Sequence, residues 1–153
     1  MPEATFRVLG SEGIEKMTTS DIFSGRKVVV FAVPGAFTPT CHLKHLPGFI
    51  DNADAFKKKG VHTVACIAVN DPFVLDAWSK AASGRGKVLF LSDGNAEFTK
   101  AIGLDFDGSG IGLGTRSKRY AMLVEDGVVK MLNIEEAPGK VEVSGGDALL
   151  KQL

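Results

Sequence analysis

Apolar residues along this chain fall into two kinds of run. Positions 27–33 read Lys-Val-Val-Val-Phe-Ala-Val, nearly continuous and rich in β-branched side chains. Such a run predicts a strand covered on both faces. Positions 61–69 (Val-His-Thr-Val-Ala-Cys-Ile-Ala-Val) predict a second strand and 87–91 a short third. Between them the apolar positions spread out to helical spacing. From Cys41 to about Lys58 the pattern is helical, with Pro47 expected to kink or break it because proline has no amide hydrogen. Asp71 and Pro72 open another helix, Asp71 as its cap and the proline near its first position. Phe73, Leu75 and Trp78 on that helix are expected in the core. Positions 95–102 form a short helix closed by Gly103. Two alternating runs, 119–124 and 128–133, flank Glu125-Asp126-Gly127, and Asp-Gly is a strong tight-turn signal. The tail from 146 to 153 predicts a last helix. Strands alternating with helices, followed by a hairpin, imply an α/β fold with a central mixed β-sheet flanked by helices. No repeat, linker or second domain is visible, so residues 1–153 read as one domain.

Bulk composition narrows the classes. The 153 residues are 44% hydrophobic and 24% charged, with mean hydropathy +0.11. A domain of this size buries roughly 68–70% of its unfolded surface. Eighteen basic and eighteen acidic residues cancel, so no nucleic-acid or acidic-membrane partner is expected. The first residues lack the basic-then-apolar pattern of a secretory leader, and no apolar run approaches the ~18 residues of a membrane span. Two cysteines cannot build a disulfide framework, which points to a reducing interior such as the cytoplasm. A transit segment removed from the natural protein remains compatible with this reading.

Chemistry concentrates at Pro34-Gly-Ala-Phe-Thr38-Pro39-Thr40-Cys41. The stretch follows the 27–33 strand, Thr38 can cap a helix and Pro39 suits its first position. Cys41 then falls in the first turn, where unpaired N–H groups and the positive dipole end favour an anion. The thiolate is such an anion and is the reactive form of cysteine. Other constellations carry less. Cys41 and His45 are helical neighbours, as a cysteine hydrolase would need, but no orienting partner or oxyanion motif accompanies them; His42 and His45 read as surface or pocket-rim residues. Cys41, His45, His62 and Cys66 lack the paired spacing of a zinc site, and the absence of Cys-x-x-Cys argues against a dithiol reductase. Glycines 108, 110, 112 and 114 resemble a dinucleotide fingerprint, yet a basic stretch and then a strand follow where a helix is required. They read as a surface loop. Lys57, Lys58 and Lys59 read as a solvated helix end.

The Pro34…Thr38…Cys41 pattern resembles the peroxiredoxin signature: proline, three residues, threonine, two residues, cysteine. Three further segments, 41–50, 66–73 and 116–124, resemble the type II, or peroxiredoxin-5-like, branch in order and spacing. This resemblance implies a thioredoxin-like fold and a thiol-dependent peroxidase that reduces hydrogen peroxide and alkyl hydroperoxides, with a role in antioxidant defence. It makes Cys41 the peroxidatic cysteine, Thr38 the hydroxyl that bonds the peroxide, and Pro34 a shield against water. The family's distant arginine falls on Arg119, with Arg116 the competing position; Arg119 is preferred because it opens the strand leading into the pocket. Cys66 matches a second cysteine of plant-type members, to which a resolving role is assigned. Its own surroundings, an apolar strand, suit a buried thiol acting as a small hydrophobe. Recycling of a Cys41 sulfenic acid would otherwise fall to glutathione, glutaredoxin or thioredoxin. The branch also implies a homodimer, and no metal or other cofactor. A redox sensor using the same Cys41 without fast turnover is the non-enzymatic alternative.

Overall fold

The computed structural model describes all 153 residues. An N-terminal hairpin, β1 (Thr5–Gly10) and β2 (Gly13–Thr18), leads into the short helix α1 (Thr19–Phe23). Strand β3 (Lys27–Val33) then runs through the centre. A π turn (Cys41–His45) continues into helices α2 (Leu46–Asp51) and α3 (Ala53–Lys58), followed by β4 (Thr63–Ala68), α4 (Pro72–Ala81), β5 (Leu89–Ser92) and α5 (Glu97–Ala101). A small hairpin, β6 (Asp105–Asp107) and β7 (Thr115–Ser117), precedes the larger β8 (Tyr120–Glu125) and β9 (Val128–Ile134). Helix α6 (Gly146–Gln152) ends the chain.

The seven-stranded sheet has the order β2-β1-β5-β4-β3-β8-β9. Strands β3, β4 and β5 are parallel, and β1, β2, β8 and β9 join antiparallel at its sides. The continuous apolar runs of β3 and β4 occupy its middle because both their faces are covered. On one face Val29, Phe31, Val33, Cys66 and Ala121 pack under Cys41, Phe49, Trp78 and Leu149. On the other, Val30, Ile67, Tyr120 and Met122 pack against Phe6, Ile22, Phe23 and Phe98. This is the mixed sheet flanked by helices that the sequence predicts.

Several local readings are corrected. The helical segment after Cys41 breaks at Asn52, and at Pro47 it is distorted rather than broken. The Asn52 amide donates to the Gly48 carbonyl at 2.7 Å and to Asp147 at 2.8 Å, so the side chain competes with the backbone ladder. Pro47 instead sits in the first turn of α2, just after the helix has widened to π geometry. Phe73 is 58% exposed, whereas Leu75 and Trp78 are buried as expected; Phe73 lies in the first turn of α4, on its outer side. The glycine-rich stretch is the exposed connection of the β6–β7 hairpin, the surface loop expected, and holds a 3₁₀ turn, Ser109–Ile111. The β1–β2 hairpin is absent from the sequence reading because only Phe6 among its residues is buried, leaving a weak alternation.

Candidate active site

Strand β3 ends at Val33, and the chain turns at once: Thr38 N–H bonds the Gly35 carbonyl at 3.3 Å. Phe37 lies between them at φ 63°, a left-handed conformation that costs a residue with a Cβ about 1–3 kcal/mol. Its half-exposed ring stacks on His42 at 5.8 Å, and His42 Nδ1 accepts a 2.9 Å bond from Trp78 Nε1. Helical geometry starts at Pro39, and His42 N–H closes the first full turn onto the Thr38 carbonyl at 2.8 Å. Cys41 is therefore in the first turn. The Thr38 hydroxyl does not cap this helix. It donates to the Gly35 carbonyl at 2.6 Å, so its remaining capacity is as an acceptor.

Leu46 N–H bonds the Cys41 carbonyl, five residues back. This wider turn adjoins Pro47, which has no N–H to continue the ladder. The turn that carries Cys41 is thus closed by a five-residue bond, next to a residue that can donate none.

Cys41 is fully buried, and Arg119 Nη2 donates to its Sγ at 3.0 Å across 78 residues of sequence. Arg119 immediately precedes β8 and is 2% exposed. Its Nε donates to the Pro138 carbonyl at 2.9 Å, and its Nη1 lies 2.9 Å from His45 Nδ1. No carboxylate pairs with this guanidinium: the chain's ion pairs are Lys27–Glu125, Lys80–Asp76 and Arg85–Asp76. A buried cation without a counter-ion is costly, and among the contacts of Arg119 the atom able to carry negative charge is Cys41 Sγ. Three of its five N–H bonds are used by these partners, leaving two for substrate oxygens.

His45 corrects the sequence reading most sharply. It is completely buried rather than at a rim. Its Nε2 faces the Ser144 carbonyl at 2.8 Å and its Nδ1 faces a guanidinium. A carbonyl only accepts and a guanidinium only donates, so His45 carries its proton on Nε2 and is neutral. Burial, and next the Arg119 charge, push it down to about 3. Ser144 is held in turn by Glu135, whose Oε2 accepts from the Ser144 amide and the Glu142 amide at 2.8 Å each and from the Ser144 hydroxyl. Burial opposes ionisation of Glu135, but these bonds together hold its carboxyl below the usual range. A chain of contacts thus runs from Glu135 through Ser144 and His45 to Arg119 and the sulfur. Sequence reasoning missed Glu135 and Ser144, which carry no motif.

The remaining candidates lie elsewhere. Arg116, on β7, donates to the Leu113 carbonyl at 2.9 Å and to the Pro34 carbonyl at 3.3 Å, and makes no bond to Cys41. Pro34 is buried at the end of β3, beside this contact. Cys66 is buried in β4 between Phe31 of β3 and Phe90 of β5. Burial, then the nearby Cys41, push its thiol up well above the usual range. It shares the apolar cluster that contains Cys41, and both cysteines are free. No group of three or more His, Cys, Asp or Glu side chains is placed to hold a metal ion, and no helix is long and apolar enough to cross a membrane.

Residues 1–150 match the Redoxin family model. The chain is 49% identical to peroxiredoxin-2E-2, chloroplastic, of Oryza sativa subsp. japonica, an alignment covering all of this chain and 70% of that protein. Among solved structures it superposes on reduced Prx3 of Vibrio vulnificus in complex with H2O2 with TM-score 0.93 and 49% identity, covering 99% of this chain and 94% of the other. Peroxiredoxin 5 of Alvinella pompejana gives TM-score 0.86 at 37% identity, covering 98% and 92%.

Proposed function

This chain belongs to the redoxin family as a peroxiredoxin of the type II branch with a thioredoxin-like fold, and on that premise we propose that Cys41, Thr38 and Arg119 carry its peroxidase chemistry. Membership makes it a thiol-dependent peroxidase with an antioxidant role. The observation that carries the assignment is the 3.0 Å bond from a buried, acid-free guanidinium to Cys41 Sγ. It supports a thiolate in the resting site.

In the proposed reaction Cys41 thiolate attacks one oxygen of a hydroperoxide, an S–O bond forms and the O–O bond breaks. The departing alkoxide or hydroxide takes a proton and leaves as alcohol or water, and Cys41 becomes a sulfenic acid. The two free N–H bonds of Arg119 can bind the oxygen on which charge develops, fixed in place before the reaction. Thr38, its own proton committed to Gly35, accepts from the peroxide O–H and so orients the substrate. Pro34 closes the buried side of the loop against water. Hydrogen peroxide and alkyl hydroperoxides are the proposed substrates.

For recycling, the burial of Cys66 and its upward-shifted thiol support an external reductant, glutathione with glutaredoxin or else thioredoxin, over an internal disulfide. The π turn supplies a way to expose the oxidised sulfur, since local opening draws on weakly bonded segments. Two free thiols support a reducing compartment such as the cytoplasm. Exposed Phe37, Leu43, Phe73 and Ile111 support a homodimer, which sedimentation of the reduced protein would detect.

Stopped-flow oxidation of the reduced protein tests the assignment. Cys41→Ser should abolish peroxide consumption, and Arg119→Met should slow it by about 10²–10³ through loss of a preset donor. A larger loss in Arg116→Met than in Arg119→Met would reverse the choice between the arginines.

A further inference from the structure

A cleft of about 390 Å3 lies beside the loop that leads to Cys41, lined by Arg7, Asn70, Asp71, Ser92, Asn95 and Arg116. Its volume is in the range that takes a small ligand. Two guanidiniums border it, and neither takes part in an ion pair. Arg7 Nη1 donates to the Thr5 carbonyl at 2.9 Å, and Arg116 uses Nε and Nη1 on the carbonyls of Leu113 and Pro34. Nη2 of each has no partner within the fold. The rim's one acid, Asp71, has Oδ1 bonded to Val74 N–H at 2.8 Å as a helix cap, and two arginines against this single carboxylate leave the cleft a net positive charge.

The cleft is built into the site's framework. Ser92 Oγ donates to the Asn70 carbonyl at 2.6 Å, and Asn70 Oδ1 accepts from Ala36 N–H at 3.0 Å. Gly35 leaves room for this approach: a Cβ on it would lie 2.8 Å from Arg116 Nη1 and would push the guanidinium aside. The guanidinium therefore rests on the backbone of the loop carrying Pro34 and Thr38. Neither Arg7 nor Arg116 bonds Cys41, whose sulfur is contacted by Arg119.

We propose that this cleft binds the free carboxylate of a small thiol that reduces the Cys41 sulfenic acid, an inference resting on the recycling by external thiol given above. Guanidinium and carboxylate are matched in shape for paired, charge-assisted bonds. Arg116 reaches the Pro34 carbonyl, Gly35 accepts from Thr38, and Thr38 stands three residues before Cys41, within about one helical turn of ~5 Å. These contacts tie the Arg116 edge of the cleft to the loop that carries Cys41, and a tripeptide thiol, ~10 Å long when extended, separates its carboxylate from its sulfur enough to engage both. The thiol displaces the sulfenic oxygen as water and forms a mixed disulfide with Cys41. A second thiol then takes the first as a disulfide and returns Cys41 as the thiol, so two thiols supply the two electrons.

The test follows loss of the Cys41 sulfenic acid after one equivalent of peroxide, with glutathione, glutathione diethyl ester and 2-mercaptoethanol as probes. The readout is the rate ratio of glutathione to its ester in the full chain and in Arg7→Gln and Arg116→Gln. The ratio should fall about tenfold in either variant, the scale of one lost charge-assisted bond. An unchanged ratio in both variants overturns the cleft. So does a ratio that stays constant while only reduction by thioredoxin, assayed alongside, weakens, since that assigns the arginines to a protein partner. Should none of the three thiols reduce the sulfenic acid, the recycling reading fails; should all three do so with the same ratio in every variant, the cleft alone fails. Arg7 lies on β1, away from the Cys41 loop, so its variant keeps the test valid if Arg116→Gln unfolds.

Discussion

Acidification is expected to weaken the fold through one imidazole. His45 stays neutral in the folded protein down to about 3, first because burial strips the imidazolium of water and second because the Arg119 guanidinium faces Nδ1. In the unfolded chain it takes up a proton near its ordinary value of 6.5. Between those two values the unfolded state holds the extra proton, so stability is complete above 6.5 and falls as the pH falls toward 3. From pH 8 to pH 5 the loss from this residue is about 2 kcal/mol, roughly 1.5 pH units at ~1.4 kcal/mol each. That is a sizeable part of the ~5–15 kcal/mol typical of a domain. Most carboxylates titrate below about pH 5, which keeps this window largely free of them. The assay is urea unfolding of the reduced protein at pH 8, 6.5 and 5 against His45→Gln, whose amide can donate to Ser144 and accept from Arg119 without titrating. The native protein should lose about 2 kcal/mol more than the variant, since every other group is common to both proteins. Equal losses would refute the reasoning, as would a folded-state His45 ring resonance that titrates near neutrality.

Two further substitutions probe groups around the site. The Tyr120 hydroxyl is buried without a partner, and burial holds its proton well above the usual phenol range. Tyr120→Phe removes an unpaired polar group that costs ~1–3 kcal/mol, so calorimetry should show an unchanged or higher Tm; a loss above ~1 kcal/mol would show that the hydroxyl finds a partner. Cys66→Ala keeps an apolar side chain in β4, and turnover with external thiol should persist. Sulfenic acid accumulating in that variant while glutathione is present would instead establish Cys66 as the resolving thiol.

The sequence by itself determined the parts that depend on near neighbours. A β-branched run had to become a buried central strand. Proline after Thr38 had to start a helix, and that start put Cys41 in the first turn. Asp71 caps α4 through Val74, three residues on, as its local spacing requires. Arg119 was preferred to Arg116 from the family resemblance and its place at the opening of a strand, but its bond to the sulfur is a tertiary matter. The two arginines are three residues apart in similar surroundings, and only the entry of β8 beside β3 brings one to Cys41. The burial of His45 was hidden for the same reason. Its partners are 74 and 99 residues away, and a histidine beside lysine and near proline looks solvated until those groups close over it. Glu135 and Ser144 matter through a loop folded back beneath α2, which no periodicity encodes. Short-range steric and hydrogen-bond preferences are written residue by residue, whereas desolvation and charge pairing arise only when distant segments meet, so the thiol's position was legible while, of its electrostatic surroundings, only Arg119 was, and that through resemblance.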